Sequence, residues 1–157
     1  MTELLRIIPC TGEHRAAIRR VLQQIGWADQ YITAAEKNAV NFSQDVEHFG
    51  TYAATIGDSN EPIGFLYVQY YDWNRLCQIQ FLAVDPAYQR RGIASALVNQ
   101  AENFARSRQG RGIYVDTPTN NLRGRAFYEA AGYQVGYIMP RYYETALDGV
   151  TYQKFFD

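Results

Sequence analysis

The chain has few of the residue types that build metal centres or disulfide scaffolds. Its 157 residues include two cysteines, Cys10 and Cys77, and two histidines, His14 and His48. Neither cysteine stands in a CxxC spacing, and two distant thiols do not form the dense framework of a small secreted domain. The sequence therefore predicts no metal site and no disulfide.

Long apolar runs and an excess of charge are missing as well. Lysine and arginine number 15, aspartate and glutamate 16, and the formal net charge is -1. A chain with this balance has no electrostatic attraction for nucleic acid or an anionic membrane. Residues 1–20 lack the apolar stretch of a signal peptide, and no run is long enough to cross a bilayer. We therefore expect a soluble, cytoplasmic protein without nucleic-acid or membrane partners.

The composition fits one mixed α/β domain over residues 1–157. Apolar residues make up 47% of the chain, enough for a sizeable core. Runs rich in apolar, aromatic and β-branched residues predict strands at 4–8, 50–56, 63–71, 77–84, 112–116, 133–138 and 150–156. Apolar spacings of three and four predict helices at 16–25, within 28–48 (short), from 93 to near 110, and at 121–131.

The connections between these elements predict the topology. Turn residues at 57–60 and 72–74 make three successive strands antiparallel neighbours. The strand at 112–116 follows 77–84 through a helix, so this pair should be parallel. Asp148-Gly149 predicts the turn before the last strand. We expect six to seven strands, mostly antiparallel with one central parallel pair, and about four helices.

The segment Gln89-Arg90-Arg91-Gly92-Ile93-Ala94 carries the clearest functional signal. It follows an apolar strand pattern and opens a helical one. The start of a helix exposes backbone N–H groups and the positive end of the helix dipole, which together attract phosphate. Gly92 lets the backbone approach a ligand closely. The segment predicts a site for a phosphorylated cofactor, although a plain helix start with solvated arginines has the same pattern.

Two motifs resemble those of the GNAT N-acetyltransferases. The stretch from Leu82 to Leu97, with Gln-Arg-Arg-Gly-Ile-Ala inside it, resembles the acetyl-CoA signature of that family. Asn121 and the later Phe-Tyr-Glu-Ala-Ala-Gly-Tyr, residues 127–133, resemble its second motif. The order and separation of the motifs match as well. The resemblance covers nearly the whole chain and implies the GNAT fold, with a homodimer expected by analogy.

The resemblance also implies acetyl-CoA as the cofactor, released as CoA. The backbone of Leu82, Ala83 and Val84 would pair with the pantetheine arm, in a slot left where the parallel strand splays away. Asn121 would hydrogen-bond the cofactor. The turn amides would hold the pyrophosphate, and two aromatic residues would flank the thiol. The further residues expected to bind the cofactor are Gln89, Arg90, Arg91, Gly92, Ile93, Ala94, Phe127 and Tyr128.

The implied reaction is direct attack of a neutral primary amine, on a small molecule or a protein, in a ternary complex. The Leu82 amide is the candidate donor to the oxyanion, and Tyr128 occupies the family position of the acid that protonates the thiolate. Gln78 stands where some relatives carry a glutamate base, and an amide cannot take that role. Asp116 or an ordered water would accept the proton, although residues 116–119 could instead form a structural turn.

Aromatic and acidic residues are the candidates for the acceptor site, since they suit a cationic amine. They are Trp27 and Tyr31 after the first helix, Tyr70, Tyr71, Asp72 and Trp73 near a strand end, and Tyr142, Tyr143 and Glu144 in the long segment between the last two strands. Two other functions stay open. One is a non-catalytic acyl-CoA-binding or sensing domain. The other is a nucleotide site, disfavoured because no P-loop lysine follows Gly92 and no GxGxxG occurs.

Overall fold

A computed structural model that describes residues 4–157 contains a seven-stranded sheet with helices on both faces. Residues 1–3, which the predicted domain includes, lie outside the described part. The strands are β1 (Leu5–Pro9), β2 (Phe49–Ile56), β3 (Gly64–Tyr71), β4 (Leu76–Val84), β5 (Gly112–Pro118), β6 (Gln134–Glu144) and β7 (Leu147–Phe155). The helices are α1 (Arg15–Ile25), α2 (Asp29–Phe42), α3 (Ile93–Ser107) and α4 (Leu122–Ala130).

The strands lie side by side in the order β1-β2-β3-β4-β5-β7-β6. Neighbours are antiparallel throughout, except for the parallel pair β4 and β5. The predicted fold, mostly antiparallel with one central parallel pair, is confirmed. The predicted antiparallel run β2-β3-β4 is confirmed with it.

Several sequence-based boundaries in the second half are wrong. Asp116, Thr117 and Pro118 continue β5 and pair with β7, so they do not form a structural turn. β6 runs on to Glu144 and therefore contains the tyrosines that were predicted in a long connection. Asp148-Gly149 lies inside β7, and residues 145–146 make the hairpin turn instead. The register of β6 shifts twice along β7, and these irregularities interrupt the alternation that marks a strand.

Two apolar clusters cover opposite faces of the sheet. On one face α3 buries residues spaced three and four apart, which are Ile93, Leu97, Val98, Ala101, Phe104 and Ala105. On the other face α1 and α2 pack on Phe65 and Tyr67 of β3. The helix predicted as short within residues 28–48 is the 14-residue α2. No helix within residues 4–157 is long and apolar enough to span a bilayer.

The parallel pair is joined over only part of its length. The β4–β5 ladder runs from Leu76 opposite Gly112 to Ile79 opposite Val115 and then stops. β4 nevertheless continues to Val84 and β5 to Pro118. The two strands therefore leave a gap in the sheet beyond Ile79. This gap is an opening between the two faces of the sheet.

A buried carboxylate ties α3 to the end of α4. Glu102 is 5% exposed, and it accepts hydrogen bonds from Tyr133 Oη at 2.9 Å and Lys154 Nζ at 3.1 Å. Lys154 also donates to the carbonyl of Ala131, immediately before Gly132, whose φ is +92°. These contacts fix the turn from α4 into β6 and therefore the placement of α4 against the sheet.

Removing this carboxylate should destabilise the fold. Glu102→Ala leaves the buried hydroxyl of Tyr133 without its acceptor and removes one of the two acceptors of Lys154, which is expected to lower the free energy of unfolding by roughly 1–3 kcal/mol. Urea denaturation measures the change. Glu47→Ala, in an exposed loop, is the control and should cost less than about 0.5 kcal/mol. Equal stability of the two variants would show that the cluster is energetically neutral.

Candidate active site

A pocket of about 650 Å³ lies between the gap in the sheet, the start of α3 and helix α4. Every residue expected to bind the cofactor lines it, except Arg91. The lining residues are Ile25, Trp27, Leu82, Ala83, Val84, Tyr88, Gln89, Arg90, Gly92, Ile93, Ala94, Ser95, Asn121, Arg123, Gly124, Phe127 and Tyr128. Residues from three separate segments of the chain thus meet in one cavity.

The start of α3 offers backbone donors to this pocket. The first hydrogen bond of the helix runs from Ala96 N–H to the carbonyl of Gly92 at 3.0 Å. The N–H groups of Ile93, Ala94 and Ser95 consequently have no partner within the helix. Gly92, the N-cap residue, supplies no side-chain cap. An uncapped helix start of this kind is an anion site through both its donors and its dipole.

The turn before α3 adds further donors by its backbone conformation. Arg90 has a φ of +65° and Gly92 one of +78°, whereas Gln89 is extended at −66°. Changes of φ sign along a turn direct successive N–H groups into one concavity, which binds anions. The left-handed conformation of Arg90 costs about 1–2 kcal/mol. The chain therefore holds a strained turn where it borders the pocket.

The backbone of β4 presents an unpaired edge to the gap. Asp85 N–H donates to the carbonyl of Ile63 at 2.8 Å, on the β3 side. The polar groups of successive strand residues point to opposite sides, so those of Ala83 also point to β3. The N–H and C=O groups of Leu82 and Val84 accordingly point towards β5, which is not paired with β4 there. An extended chain lying in the gap would find partners on these groups.

Tyr128 forms part of the pocket wall. Its side chain is 6% exposed, and its ring stacks on Tyr152 with centroids 5.9 Å apart and meets the edge of Phe127 at 5.2 Å. Burial raises the pKa of the Tyr128 phenol above its ordinary value. The hydroxyl is therefore protonated at neutral pH and available as a proton donor.

The Asn121 amide is largely engaged by the protein itself. Its Oδ1 accepts the N–H of Gly124 at 3.1 Å and so caps α4, while Nδ2 donates to Thr117 Oγ1 at 3.0 Å. One hydrogen of Nδ2 remains for any other partner. Asn121 thus shapes the pocket chiefly by starting α4 where it does.

Some lining residues were not among those expected from the sequence. Arg123 donates to Gln89 Oε1 at 2.7 Å and so bridges α4 and the turn. The Arg91 guanidinium lies 5.2 Å from the centroid of the Tyr88 ring. Tyr88 and Arg123 stand within or beside the motifs, so their position in the sequence was a usable signal. Ile25 follows no motif, and only the packing of α1 brings it to the pocket.

A group of polar side chains, hereafter the polar cluster, lies on the face of the sheet that α1 and α2 partly cover. Asp116 accepts hydrogen bonds from Thr151 Oγ1 at 2.5 Å and Gln78 Nε2 at 3.4 Å. Gln78 Oε1 accepts from Tyr71 Oη at 2.9 Å and Tyr114 Oη at 3.3 Å. Four strands, β3, β4, β5 and β7, contribute these residues, and a single carboxylate stands among neutral groups.

Tyr142 and Tyr143 of β6 complete the polar cluster. Burial, and after it the Asp116 carboxylate, raise the pKa of both phenols. Tyr142 also packs against Gly149, where an added Cβ would lie 2.9 Å from its ring. The phenol of Tyr128 contributes further to the raised pKa of Tyr143. The polar cluster therefore lies near the part of the pocket that contains Tyr128.

The gap in the sheet separates Asp116 from Tyr128. Asp116 follows Val115, the last residue of β5 that pairs with β4. Val115 lies opposite Tyr152, on which Tyr128 stacks. Asp116 and Tyr128 therefore lie beside the same opening but on opposite faces of the sheet.

The remaining acceptor candidates do not come together. Tyr70 packs against the apolar cluster beneath α3, on the face opposite to Tyr71. Asp72 accepts a 2.7 Å hydrogen bond from His48 Nε2, and Trp73 is 83% exposed in the β3–β4 turn.

Trp27 and Tyr31 come from the α1–α2 region, and Glu144 lies on the β6–β7 hairpin. Trp27 lines the pocket, with its ring edge-on to Phe81 at 5.5 Å. Tyr31 is 56% exposed on α2 and does not line the pocket. Glu144 is exposed at the end of β6. Of these three, Trp27 alone borders the cavity.

Comparison with known proteins gives the class to which this site belongs. Residues 13–133 match the model of the acetyltransferase (GNAT) family. This match includes the turn before α3, the gap and all of α4. The chain therefore belongs to the GNAT family.

Individual relatives share parts of the chain or its fold. Streptothricin acetyltransferase from Escherichia coli is 35% identical over 66 residues, 42% of this chain and 38% of that protein. N-alpha-acetyltransferase RimI from Mycobacterium tuberculosis is 35% identical over 69 residues, 44% of this chain and 42% of that protein. The matches thus span about two fifths of these curated relatives. The structure of Arabidopsis thaliana NAA60 with acetyl-CoA shares the fold, with a TM-score of 0.76 at 19% identity over 97% of this chain and 98% of that one.

The Asp72–His48 contact should make the β3–β4 turn sensitive to pH. Hydrogen bonds to Asp72 and Asp45 raise the pKa of His48 above 6.5. Stabilisation from the charged ring is therefore fully present below about pH 6.5 and is lost as pH rises through the raised value. Asp72→Asn should lower the pKa of His48, as measured by NMR titration of its ring protons. Asp58→Asn, in the β2–β3 turn, should leave it unchanged, and an unchanged value in Asp72→Asn would contradict the assignment.

Proposed function

We propose that this protein is an acetyl-CoA-dependent N-acetyltransferase that moves an acetyl group to a primary amine of a small molecule or protein. The observation that carries the proposal is the gap beyond Ile79. Open amides border it at the start of α3, the unpaired edge of β4 runs along it, and Tyr128 stands beside it. Membership of the GNAT family and the names of the relatives support the same activity.

The residues present fit coenzyme A in shape and chemistry. The amides of residues 90–95 would hold the pyrophosphate, and the C=O of Leu82 and the edge groups of Val84 would pair with the amides of the pantetheine arm. Phe127 would pack against the thiol end. When bound, acetyl-CoA supplies a thioester whose carbonyl carbon is the electrophile. The chain itself aligns this carbon with the incoming amine, and such alignment contributes a large part of enzymatic rate.

The Leu82 N–H is the group placed to stabilise negative charge on the carbonyl oxygen. It points into the gap and has no strand partner there. A fixed backbone donor aimed at a developing oxyanion needs no reorganisation during the reaction, and one such donor typically contributes roughly 10²–10³-fold in rate.

Tyr128 is assigned the role of acid towards the departing sulfur. Burial keeps its phenol protonated, and the same low-dielectric slot disfavours a free thiolate and so makes the departing sulfur a stronger base. Tyr128 would give its proton to this sulfur, and the phenolate that is left would regain a proton from solvent after the thiol leaves. On the other face, Asp116 collects the proton of the amine, directly or through water, because Gln78 beside it is an amide. The amine then attacks directly, with acetyl donor and acceptor bound together.

A non-catalytic acyl-CoA-binding or sensing domain is the second candidate. Gln78 favours it, because a carboxylate would be the stronger base at that position. Mixing the protein with acetyl-CoA and a panel of amines while detecting free thiol separates the two functions. Heat of binding in calorimetry without thiol release would support the sensing domain. Absence of both would contradict each proposal. Tighter binding of ADP or ATP than of CoA, measured by thermal shift, would identify a nucleotide site.

Three further sequence predictions remain predictions. They are a single domain over residues 1–157, a homodimer and a cytoplasmic location.

Cys10 and Cys77 are free and buried, and burial raises the pKa of each thiol to about 12. Both thiols are thus unreactive structural groups, as suits a protein that does not depend on disulfides.

Tyr128→Phe tests the acid. Loss of the phenolic proton is expected to lower kcat by roughly 10²–10⁴-fold. Binding of CoA, measured by calorimetry, should be unchanged because the ring remains. Tyr52→Phe, on the far strand β2, controls for loss of a hydroxyl. Equal turnover by the Tyr128 and Tyr52 variants would remove Tyr128 from the mechanism.

Gly92→Ala tests the anion site. An added Cβ would meet no protein atom within 4 Å, and Gly92 lines the pocket, so the expected effect is on the ligand rather than on packing. Left-handed alanine should cost about 1 kcal/mol of stability, and the Kd for CoA should rise at least about tenfold, ~1.4 kcal/mol.

Gly132→Ala is the matched control for Gly92→Ala. It has a φ of +92° and lies outside the pocket, with its nearest contact at 3.7 Å to Lys154. It should show the same loss of stability with unchanged CoA affinity. Equal affinity in both variants would place the ligand elsewhere.

A further inference from the structure

Asp116 differs from the other shielded carboxylates of the chain in the groups that surround it. Within residues 4–157, five carboxylates are buried or half-buried. Glu36, Asp85 and Glu102 each form an ion pair with an arginine or lysine. Asp148 accepts the backbone N–H of Arg141 in the β6–β7 hairpin. Of these five, Asp116 alone has neither an ion pair nor a hydrogen bond from a backbone N–H. Its donors are the neutral side chains of Thr151 and Gln78.

The groups around Asp116 also lack positive charge. Of the seven residues of the polar cluster, four are tyrosines, one is an amide and one is a threonine. In the described part of the chain, no lysine, arginine or histidine nitrogen lies within 4.0 Å of an Asp116 carboxylate oxygen. Shielded carboxylates normally obtain a cationic partner, since desolvation without one is costly. A cation brought by a ligand would supply this missing partner.

The chemistry of the cluster determines which amines it can hold. An ammonium group gains the charge of Asp116 and the negative faces of the surrounding phenol rings. A carboxylate next to that ammonium would lie beside Asp116 with no cation to balance it. Two like charges about 6 Å apart at an effective dielectric constant of about 20 repel strongly enough to change affinity by roughly 100-fold.

We propose that the polar cluster is the specificity site for the acceptor, and that it selects a primary ammonium whose neighbouring atoms are uncharged while rejecting amines that carry an adjacent carboxylate. This inference rests on the proposed function and names its substrate class. Simple amines, diamines and the N-terminus of a polypeptide share this chemistry, because the neighbour of a terminal ammonium in a peptide is a neutral amide. Free α-amino acids do not share it.

Matched ligands test the selection without requiring chemistry. Alaninamide and alanine differ in the carboxylate, and their Kd values for the protein saturated with CoA are measured by calorimetry. Alaninamide should bind roughly 10–100-fold more tightly. Equal or reversed affinities would overturn the proposal. Because CoA binding is measured separately in the same titrations, failure of the cofactor site is distinguishable from failure of the acceptor site.

Asp116→Asn tests whether the selection comes from this carboxylate. The variant preserves shape and should reduce the alaninamide-to-alanine preference at least about tenfold. The two ligands also differ in amine basicity, but this difference is the same for both proteins and cancels in the ratio of preferences. Asp58→Asn, with the same charge change in an exposed turn, should keep the native preference. A preference retained in Asp116→Asn would overturn the proposal.

Turnover with acetyl-CoA then distinguishes the sources of the ammonium. Alaninamide is compared with a peptide of six residues that begins with alanine, and with a diamine. A higher kcat/KM for the peptide identifies a polypeptide terminus as the acceptor, and a higher value for the diamine or alaninamide identifies a small molecule. Both results support the shared chemistry. Preferred acetylation of alanine over all three would contradict it.

Discussion

The early end of the ladder between β4 and β5 is the constraint on which the rest of the structure depends. Two parallel strands that diverge leave main-chain groups without partners in the middle of a sheet, where burial makes unsatisfied groups costly. Such groups need partners from solvent or from a ligand, and the proposed cofactor would supply them. The pocket, the turn before α3 and helix α4 all border this opening, so one interruption of hydrogen bonding organises the candidate active site.

The opening gives the two faces of the sheet different chemistry. The face beneath α3 and α4 contributes backbone donors, Phe127 and the neutral phenol of Tyr128. The other face contributes Asp116 and a set of amides and phenols. The proposed reaction takes one proton from an amine and delivers another to sulfur, so it needs two separate groups within reach of the reacting atoms. In this proposal the strands themselves place the two groups on different faces, without a dedicated loop.

The sequence was most informative where a residue's local role and its role in the site coincide. The spacing of Ile93 and Leu97, the glycine at position 92 and the two motifs predicted the helix, the turn and most of the pocket wall. It was least informative where tertiary pairing decides. Pro140 and the register shifts of β6 hid a strand, so Tyr142 and Tyr143 were assigned to a connection. The sequence pointed to Asp116 as a candidate, but the other members of the polar cluster come from five strands, and no spacing along the chain reveals them.

Helix α3 connects the proposed pyrophosphate site with helix α4, which carries Tyr128. Its first residue, Ile93, follows the turn at Gly92. Nine residues further on, about 13 Å along the axis, Glu102 accepts hydrogen bonds from Tyr133, which follows α4, and from Lys154. Helix α3 therefore sets the distance between the proposed pyrophosphate site and the helix that carries Tyr128. Substitutions on the buried face of α3, away from any ligand, would change this distance rather than the contacts that bind the ligand. Such substitutions offer a route by which a protein of this fold could be adapted to acyl chains of different length.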